Sequence, residues 1–403
     1  MNINRIIGIN FLGDIQKPYS YNTQVPQKEA PQKSFFTTKN LLIAGAGAAA
    51  IAVAGIAIYR RRKLQRTNND LENIIITGKA KVKDLVSKFT HDDYDASKVF
   101  KINLHIHSTA SDGKMTPLEI LRQAKTCADK LPKGEKFTFS LTDHDTIAGV
   151  QEINNAIKKD PKKYSNLIFI PGIEMSTSYS NPKTLEGAVN IDYLIYGFDV
   201  NNKRLISEIN RRRNALKSAT EALFKDINQK AGKDLLTLEN AQKFGNEQLR
   251  YIGSNGYIPQ LNDYVQKTVM GNSAISPEAI QALFIKHFGS NKQALFANIA
   301  TTDAAKLASE INAFSSIAHP GKIHYANAKL LCPDETVKTD MINSILSAGG
   351  DGIECHYMAY NGDASFGELH GWQKIREIIK SLDIPYSRTG GYDCHGTSIT
   401  SKH

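Results

Sequence analysis

The feature that most constrains the fold of this chain is a repeated order of an apolar run, a polar tip and a helical stretch. Runs rich in aromatic and aliphatic residues at 137–141, 167–170 and 314–318 have the composition of β-strands. Each run ends in polar residues, and stretches with helical spacing lie between them. Such βα units predict a barrel in which the polar tips lie together at the carboxyl ends of the strands.

Side chains that bind metal ions in other proteins occupy these polar tips. His105 and His107 lie two residues apart in a strand-like segment, so their side chains point to the same face. Imidazoles with a nearby carboxylate suit zinc, iron or manganese better than calcium. One short motif of this kind is more often an ordinary polar pair, but five in series predict a metal centre. The candidate ligands are His105, His107, Asp112, His144, Glu174, His319, Asp393 and His395.

Five motifs resemble those of PHP-domain (polymerase and histidinol phosphatase) metal-dependent phosphoesterases. The motifs are His105-Ile-His107-Ser-Thr-Ala-Ser-Asp112-Gly, Leu141-Thr-Asp-His144-Asp-Thr, Pro171-Gly-Ile-Glu174-Met-Ser, Ala318-His319-Pro-Gly and Gly391-Tyr-Asp393-Cys-His395-Gly. The resemblance covers residues 99–400 and is strongest to the small-phosphoesterase branch, with its nucleoside 3′,5′-bisphosphate phosphatases and 5′-to-3′ oligoribonucleotide exonucleases. It implies an α/β fold, a distorted (β/α)7 barrel with two or three divalent metal ions (Mn, Fe or Zn) at its mouth. The eight candidates are the ligands that it implies.

Three positions depart from the pattern of the resembled family. Many relatives have a further histidine on the strand that here spans residues 190–197, where Asp192 is the nearest ligand-type residue. Relatives often have arginine after His-Pro-Gly, whereas this chain has Lys322, which would attract a substrate phosphate as a point charge. Tyr392 stands where relatives usually have serine. The third metal position and the substrate preference therefore stay open.

The chemistry that the resemblance implies is hydrolysis of a small phosphate ester by a metal-activated hydroxide, without a side-chain nucleophile. We expect the substrate to be a nucleotide bisphosphate or a short oligonucleotide such as single-stranded RNA. The residue that protonates the leaving group is unknown, and His356 and His324 are its candidates. Two alternatives are a histidinol-phosphate-like monoesterase and a non-catalytic, membrane-tethered scaffold that binds metal.

Four further residues near the motifs each allow two interpretations. Asp143 and Asp145 either orient ligand histidines or cap the loop and helix that follow. Glu354 shares a strand face with His356, and it either lines the pocket or is a buried, paired acid. Cys394 lies between two candidate ligands, but strand alternation turns it to the opposite face and favours packing.

Residues 41–59 contain no charged side chain, and as a helix they would span about 28 Å, close to the hydrocarbon thickness of a bilayer. Arg60-Arg-Arg-Lys63 follows at once, which predicts a single-pass membrane protein with its catalytic domain in the cytoplasm. A soluble, alanine-rich packing helix is the alternative. A cleavable signal peptide is disfavoured because arginines occupy the expected cleavage region.

The charge distribution agrees with an anchored protein. Residues 1–70 contain ten Lys and Arg but three Asp and Glu, a net +7 of the whole chain's +10. The basic character is therefore mostly membrane-flanking and does not indicate a nucleic-acid-binding surface. Four cysteines without paired spacing fit a reducing compartment.

The predicted organisation has five parts. They are a disordered tail at 1–40, the transmembrane helix at 41–59, a linker at 60–98 with a short helix around 70–89, the barrel at 99–200 and 311–403, and a helical insertion at 201–310. The insertion would act as a lid that selects small or single-stranded substrates. Its Arg211-Arg-Arg213 run either steers phosphates or forms a solvated helix face. No protein partner is predicted.

Overall fold

The computed structural model describes residues 70–181, 188–241, 243, 258–269, 275–288, 297–320, 335–357, 378–382 and 384–400. The predicted tail, the predicted transmembrane helix at 41–59, Lys322 and His324 lie outside these ranges. Within them, no helix combines the length and the apolar character that crossing a bilayer requires.

The described chain is an α/β protein, which confirms the predicted class. Its strands are β1 (Ile102–Asn103), β2 (Phe137–Leu141), β3 (Leu167–Tyr179), β4 (Val189–Tyr196), β5 (Ile299–Ala300), β6 (Phe314–Ile317), β7 (Gly352–Tyr357) and β8 (Ser387–Gly391). Its longer helices are α1 (Lys79–Val86), α2 (Pro117–Asp129), α3 (Ala148–Lys159), α4 (Lys203–Ala231), α5 (Ile258–Val269), α6 (Pro277–Phe288), α7 (Thr301–Glu310) and α8 (Glu335–Ser347).

The strands form one mixed sheet in the order β1-β2-β3-β4-β6-β7-β8, and the short β5 pairs with β3. Pairing is parallel from β1 to β3 and from β6 to β8, whereas β4 runs antiparallel to both β3 and β6. Backbone hydrogen bonds also join the two ends of the path: Leu104 N donates to Gly390 O at 3.2 Å, and His107 N donates to Cys394 O at 2.9 Å. The sheet therefore closes on itself, with β4 as its departure from regular βα pairing.

Local sequence signals explain where several helices begin. Thr116 caps α2: its side chain accepts a hydrogen bond from the backbone of Glu119, and Pro117 occupies the first turn. Asn202 caps α4 by accepting from the backbone of Arg204 and Leu205. These caps define where the two helices begin.

The predicted helix around residues 70–89 is only partly correct, because the structure has helix α1 at Lys79–Val86. The preceding segment pairs with the sheet instead: Ile76 N donates to Phe169 O at 2.9 Å, and Phe169 N donates to Ile74 O at 2.6 Å. Gly78 then turns the chain with φ 95°, a backbone angle that favours glycine. Strand pairing at Ile74 and Ile76 outweighs the local helical tendency of this segment.

The apolar side chains form distinct clusters. The main cluster packs helices such as α2, α3 and α7 against the sheet, and a second lies around Leu104, Ile170 and Tyr196. A separate cluster joins α4, α5 and α6 through residues such as Leu223, Val265 and Phe288. The inserted helices thus have a hydrophobic core of their own, and the sheet is left to position the polar residues at its rim.

Candidate metal centre

The candidate ligands lie at or near strand ends that meet at one end of the closed sheet, which we call its rim. His105 and His107 follow β1, His319 follows β6, and Asp393 and His395 follow β8. His144 follows β2 and pairs through an isolated parallel bridge with Glu174 of β3. Because parallel strands end on the same side of a sheet, residues distant in sequence meet there.

Four of the predicted ligands form a fully buried group. His105, Glu174, His319 and Asp393 each offer a ligand atom, and these atoms lie within 4.8 Å of one another. His105 Nε2 lies 3.1 Å from Glu174 Oε2, and His319 Nε2 lies 3.1 Å from Glu174 Oε1. The two oxygens of one carboxylate thus face two imidazoles.

The other four predicted ligands form a second, more exposed group of His107, Asp112, His144 and His395. Its Asp112 Oδ2 lies 3.2 Å from His395 Nε2 and 3.9 Å from His144 Nε2. His107 lies between the groups, with Nε2 3.1 Å from Glu174 Oε2 and 3.2 Å from Asp393 Oδ1. All eight candidates therefore belong to one continuous cluster.

Asp192 lies at the edge of this cluster. It forms a third group with His144 and Glu174, and its Oδ2 lies 3.7 Å from His319 Nε2. The sequence had marked Asp192 only as the nearest ligand-type residue on its strand. Because His144 and Glu174 belong to more than one group, ions held at neighbouring positions would share ligands.

The buried polar atoms of the cluster fit a bound cation. Within the described part of the chain, His107 Nδ1 and Asp112 Oδ1 are buried without a hydrogen-bond partner. Leaving such atoms unsatisfied in a buried site costs about 1–3 kcal/mol each. A divalent ion bound there would satisfy them, and the mixture of imidazole and carboxylate ligands suits manganese, iron or zinc.

Glu354 is a buried acid, and it orients two of the candidate ligands. Its Oε1 lies 3.0 Å from His105 Nδ1, and its Oε2 accepts a hydrogen bond from the backbone N–H of His319 at 2.7 Å. When the proton of His105 is held on Nδ1, Nε2 is unprotonated and faces the cluster as the nitrogen that can bind a metal ion. Of the two interpretations that the sequence allowed, the paired acid is the one that the structure shows.

Asp143 holds the loop between His107 and Asp112, a role that neither sequence interpretation included. Its carboxylate accepts hydrogen bonds from the backbone and hydroxyl of Ser108, at 2.6 and 2.7 Å, and from the hydroxyl of Ser111 at 2.7 Å. Gly113, the residue after Asp112, packs against the backbone of His107 so closely that an added Cβ would lie 2.2 Å from His107 O. This loop is therefore fixed on both sides.

Asp145 also differs from the prediction. Its carboxylate accepts hydrogen bonds from the backbone and hydroxyl of Ser176 and pairs with Arg212 of α4. The sequence allows two interpretations of the run Arg211-Arg-Arg213, a solvated helix face or a patch that steers phosphates. Arg212 fits neither interpretation, because it is buried. Arg211, in contrast, is exposed and pairs with Glu208. The sequence carried no signal that separates these neighbouring arginines.

The carboxylates and imidazoles strongly affect each other's protonation. Burial favours neutral His105, but the carboxylates of Glu174, Glu354 and Asp393 outweigh burial and raise its pKa well above the usual value. Burial similarly opposes ionisation of Glu174, yet His105 and His144 lower its pKa well below the usual range. The pKa of His144 is also raised, because Glu174 and Asp112 outweigh its burial. These raised pKa values favour the protonated forms of His105 and His144 when no cation is bound.

Of the five non-glycine residues with positive φ in the described part of the chain, three lie at the same place. Asp145, His319 and Asp393 have φ angles of 53°, 24° and 52°, in a region that residues other than glycine seldom adopt. Such angles persist where surrounding contacts impose them, and they are found at functional sites. Two of these three residues are predicted ligands, and the third follows His144.

The remaining candidates lie apart from the ligand groups. The ring of His356 stacks on Tyr94 with centroids 5.1 Å apart, and its Nδ1 lies 3.4 Å from Nδ1 of His91. Cys394 is fully buried in the main hydrophobic cluster and is absent from the three groups, as strand alternation predicted. A leaving-group acid is therefore not evident among the described residues of the cluster.

Comparison with known proteins gives two informative relatives, while no family model matches the chain. The chain is 37% identical over 79 residues to a 5′-3′ exoribonuclease of Haemophilus influenzae, which is 20% of this chain and 24% of that protein. It is 35% identical over 78 residues to a 3′,5′-nucleoside bisphosphate phosphatase of Chromobacterium violaceum, which is 19% of this chain and 23% of that protein. The predicted resemblance to these phosphoesterases is confirmed.

The confirmed likeness is limited in extent, because the matched part spans about a quarter of the length of these curated relatives. Among solved structures, an amidohydrolase from Chromobacterium violaceum aligns with a TM-score of 0.46 and 19% identity. That alignment covers 75% of this chain and 90% of the other.

Proposed function

We propose that this protein is a metal-dependent phosphoesterase that hydrolyses nucleotide bisphosphates or short oligonucleotides. The observation that carries the proposal is the convergence of the eight predicted ligands around Glu174, whose oxygens lie 3.1 Å from His105, His107 and His319. The names of the two relatives support the same class of reaction. The matched segment is short, so the substrate rests on that likeness and not on the geometry.

The side chains of the cluster have defined tasks in this mechanism. Glu354 holds His105 in the tautomer that presents Nε2. His395 Nδ1 lies 2.9 Å from the carbonyl oxygen of Asp393, which directs its Nε2 toward Asp112. Asp143 and Asp145 hold the two loops that carry Asp112 and His144. Divalent ions bound there would lower the pKa of a water and neutralise charge on the phosphoryl oxygens.

We further propose that access to the cluster selects the substrate. Helix α4 contacts the rim through Arg212, and this contact supports the proposal that the insertion acts as a lid. Lys322, which follows His319 by three residues, is the proposed contact for a substrate phosphate. Such a lid would admit small or single-stranded substrates.

Substrate assays with defined metal loading test the proposal. The protein is freed of metal, reloaded with Mn²⁺, Fe²⁺ or Zn²⁺, and offered a 3′,5′-bisphosphonucleoside, a short 5′-phosphorylated RNA and histidinol phosphate. We expect phosphate or nucleotide release from one of the first two substrates. Turnover of histidinol phosphate alone would favour the monoesterase, and bound metal without any turnover would favour the scaffold.

Matched variants make this test specific. Asp393→Asn removes a ligand carboxylate from the buried group, and we expect loss of both bound metal and turnover. His287→Asn changes a histidine of α6 that pairs with Asp226 at 2.9 Å, outside the cluster. Equal activity of the two variants would contradict the proposed site.

We also propose that the chain is anchored in a membrane by residues 41–59, with the catalytic domain in the cytoplasm. The support comes from the sequence alone: nineteen residues without charge, followed by a basic run. Flotation of the full chain with lipid vesicles, compared with a variant that lacks residues 41–59, tests the anchor. Retention of vesicle binding by the deletion variant would contradict it.

A further inference from the structure

A buried guanidinium connects the inserted helices to the candidate metal centre. Arg212 lies in α4 and is 2% exposed. It pairs with the carboxylate of Asp145 and donates a hydrogen bond to Asn298 Oδ1 at 3.2 Å. Because burying a charge without a partner is energetically costly, the folded protein depends on this buried pairing.

The carboxylate that Arg212 contacts joins two ligand-bearing segments. Asp145 directly follows His144, and its backbone N–H donates to Glu174 O at 2.9 Å. Its side chain accepts hydrogen bonds from Ser176 N at 3.0 Å and from Ser176 Oγ at 2.9 Å, two residues beyond Glu174. The position of Asp145 therefore sets the spacing between His144 and Glu174.

A second route leads from Arg212 to the same strand. Asn298, which accepts its hydrogen bond, donates through Nδ2 to Thr177 O at 3.3 Å and to Ser178 Oγ at 3.1 Å. The guanidinium thus reaches the strand of Glu174 through a carboxylate and through an amide. A planar fork makes both contacts at once, which a lysine ammonium does not reproduce.

We propose that Arg212 is a positioning residue of the metal centre. It holds Asp145 in its strained backbone conformation, with φ 53°, and so keeps His144 Nδ1 3.3 Å from Glu174 Oε2. The insertion then contributes to the metal centre in addition to its proposed role as a lid. The consequence for catalysis rests on the proposed function, but the consequence for metal affinity does not.

Metal titration of the full chain in detergent micelles tests this role. We expect Arg212→Ala to bind Mn²⁺ about 10–100-fold more weakly than the unchanged chain, the range found when groups that orient ligands are removed. Guanidinium at low millimolar concentration should restore part of that affinity, and Arg212→Lys should restore less. The matched control is Arg204→Ala on the same helix, whose arginine is exposed and pairs with Glu310 far from the cluster, and it should leave the affinity unchanged.

A purely structural docking role predicts a different result. Arg212→Ala would then lower the melting temperature while leaving Mn²⁺ affinity within twofold, and guanidinium would have no effect, which would overturn the proposal. Should Arg212→Ala fail to fold, Asp145→Asn keeps the side-chain shape without the charge and should show the same weakening. Unchanged Mn²⁺ affinity in that variant would also overturn it.

The outcome separates this inference from the proposed function. If the unchanged chain binds Mn²⁺ but turns over no phosphate ester, and Arg212→Ala still weakens binding, the hydrolase proposal fails and the positioning role stands. If the chain turns over its substrate and Arg212→Ala changes neither Mn²⁺ affinity nor kcat, the positioning role fails alone.

Discussion

At the scale of single residues, Glu174 is central to the candidate site. It is fully buried, and one of its oxygens lies 3.1 Å from both His105 Nε2 and His107 Nε2. The other lies 3.1 Å from His319 Nε2. A carboxylate in this position offers two oxygens to neighbouring cations, so its surroundings decide how the whole cluster is organised.

Glu354→Gln tests the orientation of the ligands. The substitution keeps the size of the side chain but removes the charge that faces His105 Nδ1 at 3.0 Å. We expect metal affinity to fall by about 10–100-fold, because second contacts fix the tautomer and basicity of a ligand histidine. Calorimetric titration with Mn²⁺ measures this, with Glu310→Gln, an exposed acid paired with Arg204, as control. Equal affinities in the two variants would exclude the orienting role.

The raised pKa values of His105 and His144 predict how pH affects the metal-free protein. A histidine whose pKa is higher in the folded state contributes stability that is full below its unfolded value, about 6.5, and is lost as pH rises through the folded value. The metal-free protein should therefore lose stability as pH rises above about 6.5. Thermal unfolding with excess chelator measures this, and a melting temperature that increases over that range would contradict the prediction.

The same protonation predicts the opposite trend for metal binding. A cation must displace protons from His105 and His144, so Mn²⁺ affinity should increase as pH rises through their raised pKa values. Titration calorimetry in two buffers of different ionisation enthalpy counts the protons released. Release of no protons near neutral pH would show that these imidazoles are already neutral.

At the scale of elements, the site depends on how strand ends are joined to loops. The segment between β1 and α2 folds back so closely on itself that a Cβ at Gly113 would lie 2.2 Å from His107 O. Asp143, in the loop after β2, accepts a hydrogen bond from the backbone N–H of Ser108 in this segment. Neither contact is a ligand contact. Together they place Asp112 opposite His144 and His395.

Gly113→Ala should displace this loop. The added Cβ would lie 2.2 Å from a backbone oxygen that cannot move independently of His107, so Asp112 must shift. We expect a stability loss of about 1–3 kcal/mol and a lower metal content in the group of His107, Asp112, His144 and His395. Metal analysis of the purified variant measures this. Gly134→Ala, where no atom lies within 4 Å of the new Cβ, controls for strain at a glycine away from the site, and equal metal contents would contradict the prediction.

At the scale of the whole molecule, α5, α6 and the part of α4 from Leu216 onward share a hydrophobic cluster that is separate from that of the sheet. Phe224 of α4 and Tyr264 of α5 pack together in the insertion, with ring centroids 5.8 Å apart. Phe169 of β3 lies in the main cluster against Phe139, with centroids 5.0 Å apart. Separate clusters favour unfolding of the insertion before the sheet.

Phe224→Ala and Phe169→Ala should therefore have different effects. Each truncation of a buried aromatic ring costs about 3–5 kcal/mol. For Phe224→Ala we expect faster amide exchange in α4, α5 and α6, while the strands stay protected. For Phe169→Ala we expect loss of protection throughout the sheet. Uniform loss of protection in both variants would show that the two clusters unfold as one unit.

The sequence by itself determined the α/β class and the set of candidate ligands, because strand periodicity and ligand-type residues at strand ends are local properties of the chain. Only the tertiary structure decided which ligands share a group, since that depends on strand order and on the antiparallel β4, which brings Asp192 to the rim. The tertiary structure alone also decided which residues Glu354 and Arg212 contact. Their partners His105 and Asp145 lie 249 and 67 residues away, and no local pattern encodes a contact over that separation.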